Sequence, residues 1–136
     1  VECRAILANY GFFSTRISDD AEARLGGPDS LLHREECLGY ARHYLADPGQ
    51  AADPLAFPLS ADLAGLPPTL LLIPELDLLA EQSDAMAQAM GAAGVSATTI
   101  RYPGATHSFL EAMSISALAR RAIADGAAFV AQQLHR

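Results

Sequence analysis

Lysine is missing from this chain: all 9 cationic residues are arginine, scattered against 16 acidic ones, and the net charge is −7. With no basic patch to neutralise phosphates, a nucleic-acid partner is not expected. The longest apolar stretch, around Leu70 to Ile73, falls far short of the roughly 20 residues that cross a bilayer, so a soluble domain without a membrane span is expected. The 2 cysteines, Cys3 and Cys37, are too few for a disulfide framework or a cysteine metal site, and they read as buried free thiols that fit a reducing, cytoplasmic setting. No repeat or low-complexity tract occurs, and the chain opens at Val1 with neither an initiator methionine nor a signal-peptide pattern, so Val1 is not expected to begin the gene product. What is present is the balance of an ordinary globular domain: 136 residues, 51% hydrophobic and 18% charged.

The apolar pattern alternates between strands and helices. Arg4 to Tyr10 reads as a short buried strand, followed by polar residues that leave the sheet. Asp19 and Glu22 have capping-box spacing, opening a helix that Gly26-Gly27-Pro28 ends, and Ser30 is placed to cap a second helix running to Leu45. Asp47 to Pro68 is proline-rich and aperiodic, hence a long loop. Thr69 to Ile73 is a continuous apolar run stopped by Pro74, the pattern of a central parallel strand. A helix from Leu79 to Ala93, a strand from Val95 to Tyr102 broken by Pro103-Gly104, and a helix from Ser116 to Leu134 complete the chain. This succession predicts an α/β fold with a mostly parallel sheet flanked by helices.

In such a sheet the loops leaving the carboxyl ends of parallel strands share one edge, where ligands bind. Asp77 and His107 lie in two such loops. A carboxylate bonded to one imidazole nitrogen fixes the tautomer and leaves the other nitrogen free to take a proton from a nucleophile, so the pair reads as orienter and general base. Taken singly, Asp77 suits capping of the following helix and His107 a polar surface turn, and the topology is what favours catalysis. His33, His43 and His135 sit in helical patterns without such a partner, and none suggests a metal site.

Around these residues the chain resembles a known family. The run Asp53-Pro54-Leu55, the stretch Leu63-Ala64-Gly65-Leu66-Pro67-Pro68-Thr69 through Pro74-Glu75-Leu76-Asp77, the turn Gly91-Ala92-Ala93-Gly94-Val95 and the segment Arg101-Tyr102-Pro103-Gly104-Ala105-Thr106-His107-Ser108-Phe109 are similar to the C-terminal half of the hormone-sensitive-lipase-like (fold-3) branch of the α/β-hydrolases. The resemblance covers nearly the whole chain, as the C-terminal part of a single α/β-hydrolase domain. It implies a serine carboxylesterase of short acyl esters in which Asp77 is the triad acid and His107 the triad base. It places residues 15–47 in a helical excursion that helps to cover the active site. Leu78 and Phe109 flank the two loops and are candidate substrate-pocket residues, core packing being the other reading of each. Leu78 and Ser108 stand where the family usually has proline and glycine.

Neither a Gly-x-Ser-x-Gly nucleophile elbow nor a His-Gly-Gly-Gly oxyanion segment occurs, and no serine has the flanking glycines of the elbow. In the family both elements lie N-terminal to the part seen here. The expectation is therefore a segment that supplies Asp77 and His107, inactive alone, to a nucleophile and oxyanion hole on an N-terminal segment or a second chain. No cofactor or metal is implied. The family also implies a homo-oligomer formed through the last strand and last helix. The competing expectation is a non-catalytic α/β module of a truncated or split hydrolase, with assembly as its role.

Overall fold

The computed structural model describes residues 3–135; Val1 and Glu2, on which the reading of the chain's start rests, lie outside them. Three strands, β1 (Ile6–Asn9), β2 (Thr69–Leu76) and β3 (Ala97–Thr106), form a parallel sheet in that order. β2 is central, and its side chains alternate between two cores. Leu70 and Leu72 join Tyr102, Ala105, Ala119 and Ala122 beneath helix α4 (Ala117–Leu134), while Leu71 and Ile73 join Met86, Met90 and Val95 beneath α3 (Ala80–Ala92). Burial on both faces is why this run is continuously apolar.

β2 does not stop at Pro74. It pairs with β3 through Leu76, with a register irregularity between Pro74 and Leu76. The Leu72 carbonyl accepts the Tyr10 N–H (3.1 Å), whereas the Thr69 N–H donates to Ser96 on the opposite side. By alternation, the missing Pro74 N–H falls on the side of β1, whose pairing has already ended at Leu72, so no ladder bond is lost. β3 likewise runs through Pro103-Gly104 to Thr106, because Gly104 takes φ +72° and its N–H donates to the Glu75 carboxylate (2.8 Å).

Between β1 and β2 lie α1 (Asp19–Leu25), α2 (Arg34–Tyr44) and two short 3-10 turns at Pro48–Ala52 and Pro58–Ser60. The cap of α1 is Ser18, one residue before the expected Asp19: its Oγ accepts the Ala21 N–H, and its own N–H and O–H donate to Glu81 on α3. Glu22 completes no capping box. Its carboxylate instead accepts the Arg34 N–H at 3.0 Å and so serves the start of α2, which begins after His33 rather than at Ser30. α4 is capped by Ser116, whose Oγ accepts the Ala119 N–H, and Tyr102 donates to Asp125 (2.9 Å), tying β3 to α4.

Gln82, buried on α3, ties the segment that leaves β1 to that helix. Its amide oxygen accepts the N–H groups of Phe13 and Ser14, and its NH2 donates to the carbonyls of Ser14 and Arg16, at 2.8–3.0 Å. Gln82→Ala leaves this backbone without partners, and a loss of about 2–4 kcal/mol in urea unfolding of the chain is expected.

Cys37 sits in a third cluster with Ala21, Leu78 and Leu79. Burial, then the nearby carboxylates of Glu36, Asp77 and Glu22, push its thiol up from 9.0 to about 11. The fold thus favours the neutral thiol. Its contribution is intact below pH 9 and is lost as pH rises through about 11. The urea midpoint is expected to fall over that interval, and Cys37→Ala to flatten part of the fall.

Candidate active site

The loops carrying Asp77 and His107 leave the carboxyl ends of adjacent strands, β2 and β3. Parallel pairing alone puts them at one edge. The bond from Gly104 to Glu75 then ties one loop to the other, two residues from Asp77 and three from His107.

Asp77 is 2% exposed and its two oxygens do different work. Oδ1 accepts the Leu79 N–H (2.9 Å), an Asx turn leading into α3. Oδ2 meets Nδ1 of His107 at 2.9 Å. The local role and the imidazole contact, rivals in the sequence, are thus filled together by one carboxylate. An ionised carboxylate only accepts, so the Nδ1 proton donates to it, and in the neutral ring Nε2 is then the nitrogen that carries the lone pair. The His107 side chain retains 18% exposure, so the ring is enclosed on most sides and still reachable. The pair is separated by 30 residues of sequence. His107 is followed by Ser108 at φ 57°, a left-handed turn into the 3-10 segment Phe109–Ser114.

Leu78 and Phe109 both point into packed interior. Leu78 lies with Ala21, Cys37 and Leu79, and Phe109 lies with Tyr102 and Ala105 beneath α4. Leu78 also contributes to a cleft of about 210 Å3 walled by Glu75, Asp77, Asp84 and Arg101. A larger groove, about 510 Å3, opens between α2 and the Pro48–Ala52 turn and is lined by neither Asp77 nor His107. Among the described residues no group of three or more His, Cys, Asp or Glu is arranged to hold a metal ion, and no helix is long and apolar enough to cross a membrane.

Tyr10 was not singled out from the sequence. It follows β1 directly at φ 38°, and its ring lies edge-on to the His107 ring at 4.9 Å between centroids. Nothing in a Tyr-Gly dipeptide signals this, since tyrosine seldom adopts positive φ and the contact joins residues 97 positions apart.

The sequence profile of the family described as alpha/beta hydrolase fold matches residues 2–111. The chain belongs to that family. This α/β-hydrolase chain is 34% identical over 101 residues to an esterase of Acinetobacter venetianus, covering 74% of itself and 33% of that protein. It is 31% identical over 127 residues to an acetyl esterase of Salmonella paratyphi B, covering 92% of itself and 39% of the relative. It therefore spans a third to two fifths of the length of these relatives. Among solved structures, a thermostable carboxylesterase cloned from a metagenomic library superposes with TM-score 0.90 at 28% identity, over 96% of this chain and 45% of the other. An esterase from the bacterial hormone-sensitive lipase family superposes with TM-score 0.89 at 25% identity, over 96% and 43%. The likeness is to the C-terminal half of a hormone-sensitive-lipase-like α/β-hydrolase.

Proposed function

We propose that this chain is the acid-and-base half of a serine carboxylesterase acting on short acyl esters. The 2.9 Å contact between buried Asp77 and Nδ1 of His107, at the ligand-binding edge of a parallel sheet, carries the reading. In the complete hydrolase Nε2 takes the proton of a serine hydroxyl as its oxygen attacks the ester carbonyl, and the imidazolium returns that proton to the departing alcohol. Asp77 holds the tautomer and offsets the charge that appears on the ring. Water then enters through the same base to release the acid, so no cofactor or metal takes part.

The serine and the oxyanion donors come from outside these 136 residues, on a preceding segment or a second chain. The outer side of β1, which has no neighbouring strand among the described residues, is the natural place for that segment to pair. The α1–α2 excursion contributes to the cover, and β3 with α4 offers a surface for a second copy.

The direct test is hydrolysis of p-nitrophenyl acetate and butyrate by this chain alone and by the hydrolase containing it. The chain alone is expected to match an imidazole blank, and the complete protein to show an acyl-enzyme burst. A burst from the chain alone would mean an unnoticed nucleophile. A complete protein without activity on any short ester would favour the assembly module instead.

A further inference from the structure

A single hydrogen bond between Nδ1 and a carboxylate works as a pivot. The imidazole can rock about it, carrying Nε2 through an arc, unless a second contact stops the ring. Among the described residues only two non-glycine residues have positive φ, Tyr10 (38°) and Ser108 (57°). One touches the His107 ring and the other follows His107 in the chain. Such backbone is costly for a residue with a side chain and persists only where the surroundings impose it.

For Tyr10 those surroundings are on view. Its N–H makes the last bond of the β1 ladder to Leu72 (3.1 Å), and its ring lies edge-on to two others, Phe109 at 6.3 Å and His107 at 4.9 Å. Turning the chain into positive φ there aims the ring at the imidazole instead of continuing along the strand. We propose that Tyr10 is a positioning residue that acts as a stop for the His107 ring, fixing where Nε2 points while Asp77 fixes its tautomer. This rests on His107 being the general base. Burial, then the carboxylates of Glu111 and Asp77, push the phenol above its ordinary value, toward the neutral form. The working part is the ring, and phenylalanine should replace it.

Two measurements separate this from the catalytic assignment. In the complete hydrolase, Tyr10→Leu should lower kcat about 10- to 100-fold with KM within about twofold, since a displacement near 1 Å costs of that order, and Tyr10→Phe should restore kcat to within about threefold. A folded Tyr10→Leu enzyme with undiminished kcat overturns the proposal. So does a Tyr10→Phe enzyme as slow as the leucine variant, because the hydroxyl would then be acting. In this chain without any nucleophile, the low-field Nδ1 proton of His107 should be sharp in the parent and in Tyr10→Phe, and broadened by exchange in Tyr10→Leu. An equally sharp signal in all three overturns the stop. Because this readout needs no ester hydrolysis, it stands or falls independently of whether His107→Ala affects activity.

Discussion

Replacing His107 by alanine in the complete hydrolase is expected to lower kcat by about 10⁴- to 10⁶-fold while KM for p-nitrophenyl butyrate moves little. The size follows from the position of the ring. One ring nitrogen is already committed to a carboxylate, at 2.9 Å, which leaves the other to take the serine proton. Without it the serine hydroxyl must ionise unaided, and only binding and the oxyanion donors remain. Folding should survive, because the His107 side chain keeps partial exposure and anchors no backbone; Gly104 and Glu75 hold the loop. A variant that melts with the parent and retains activity within tenfold would remove His107 from the mechanism.

Asp77→Asn should cost less, about 10³- to 10⁴-fold in kcat, and the cause would differ. The asparagine can place its oxygen on the Leu79 N–H and preserve the Asx turn, which leaves its NH2 facing Nδ1. A donor there forces the imidazole proton onto Nε2, the nitrogen that must accept from serine. Asp77→Ala tests the other oxygen as well: it should also destabilise the start of α3, because a buried backbone N–H loses its acceptor. Equal stability for the asparagine and alanine variants would show that the Leu79 contact contributes nothing. Full activity in Asp77→Asn would show that the tautomer is set by another group.

The two loops are legible in the sequence because the information lies in short stretches. A continuous apolar run names a central strand, the next helix and strand follow at close range, and parallel pairing then leaves no freedom about which ends share an edge. Local rules failed where a side chain reaches beyond its own turn. Asp19 and Glu22 have capping-box spacing, yet Ser18 is held by Glu81 and Glu22 is drawn to Arg34. Pro74 looked like a stop because proline removes a donor, but that donor points past the end of β1. Gln82 carried no signal in an alanine-rich helix, and four backbone partners 66 to 69 residues away define it.

By itself the sequence determined the α/β class, the parallel order of its last two strands and the two loops in which an acid and a base could meet, because hydrophobic periodicity and proline-glycine punctuation act within a few residues. Only the tertiary structure decided that both oxygens of Asp77 are used, that Glu75 ties the two loops, and that a tyrosine in a costly backbone conformation stands against the imidazole. Apart from the Leu79 turn, those contacts join residues 29, 30 and 97 positions apart, and only the packed sheet supplies the energy that holds them.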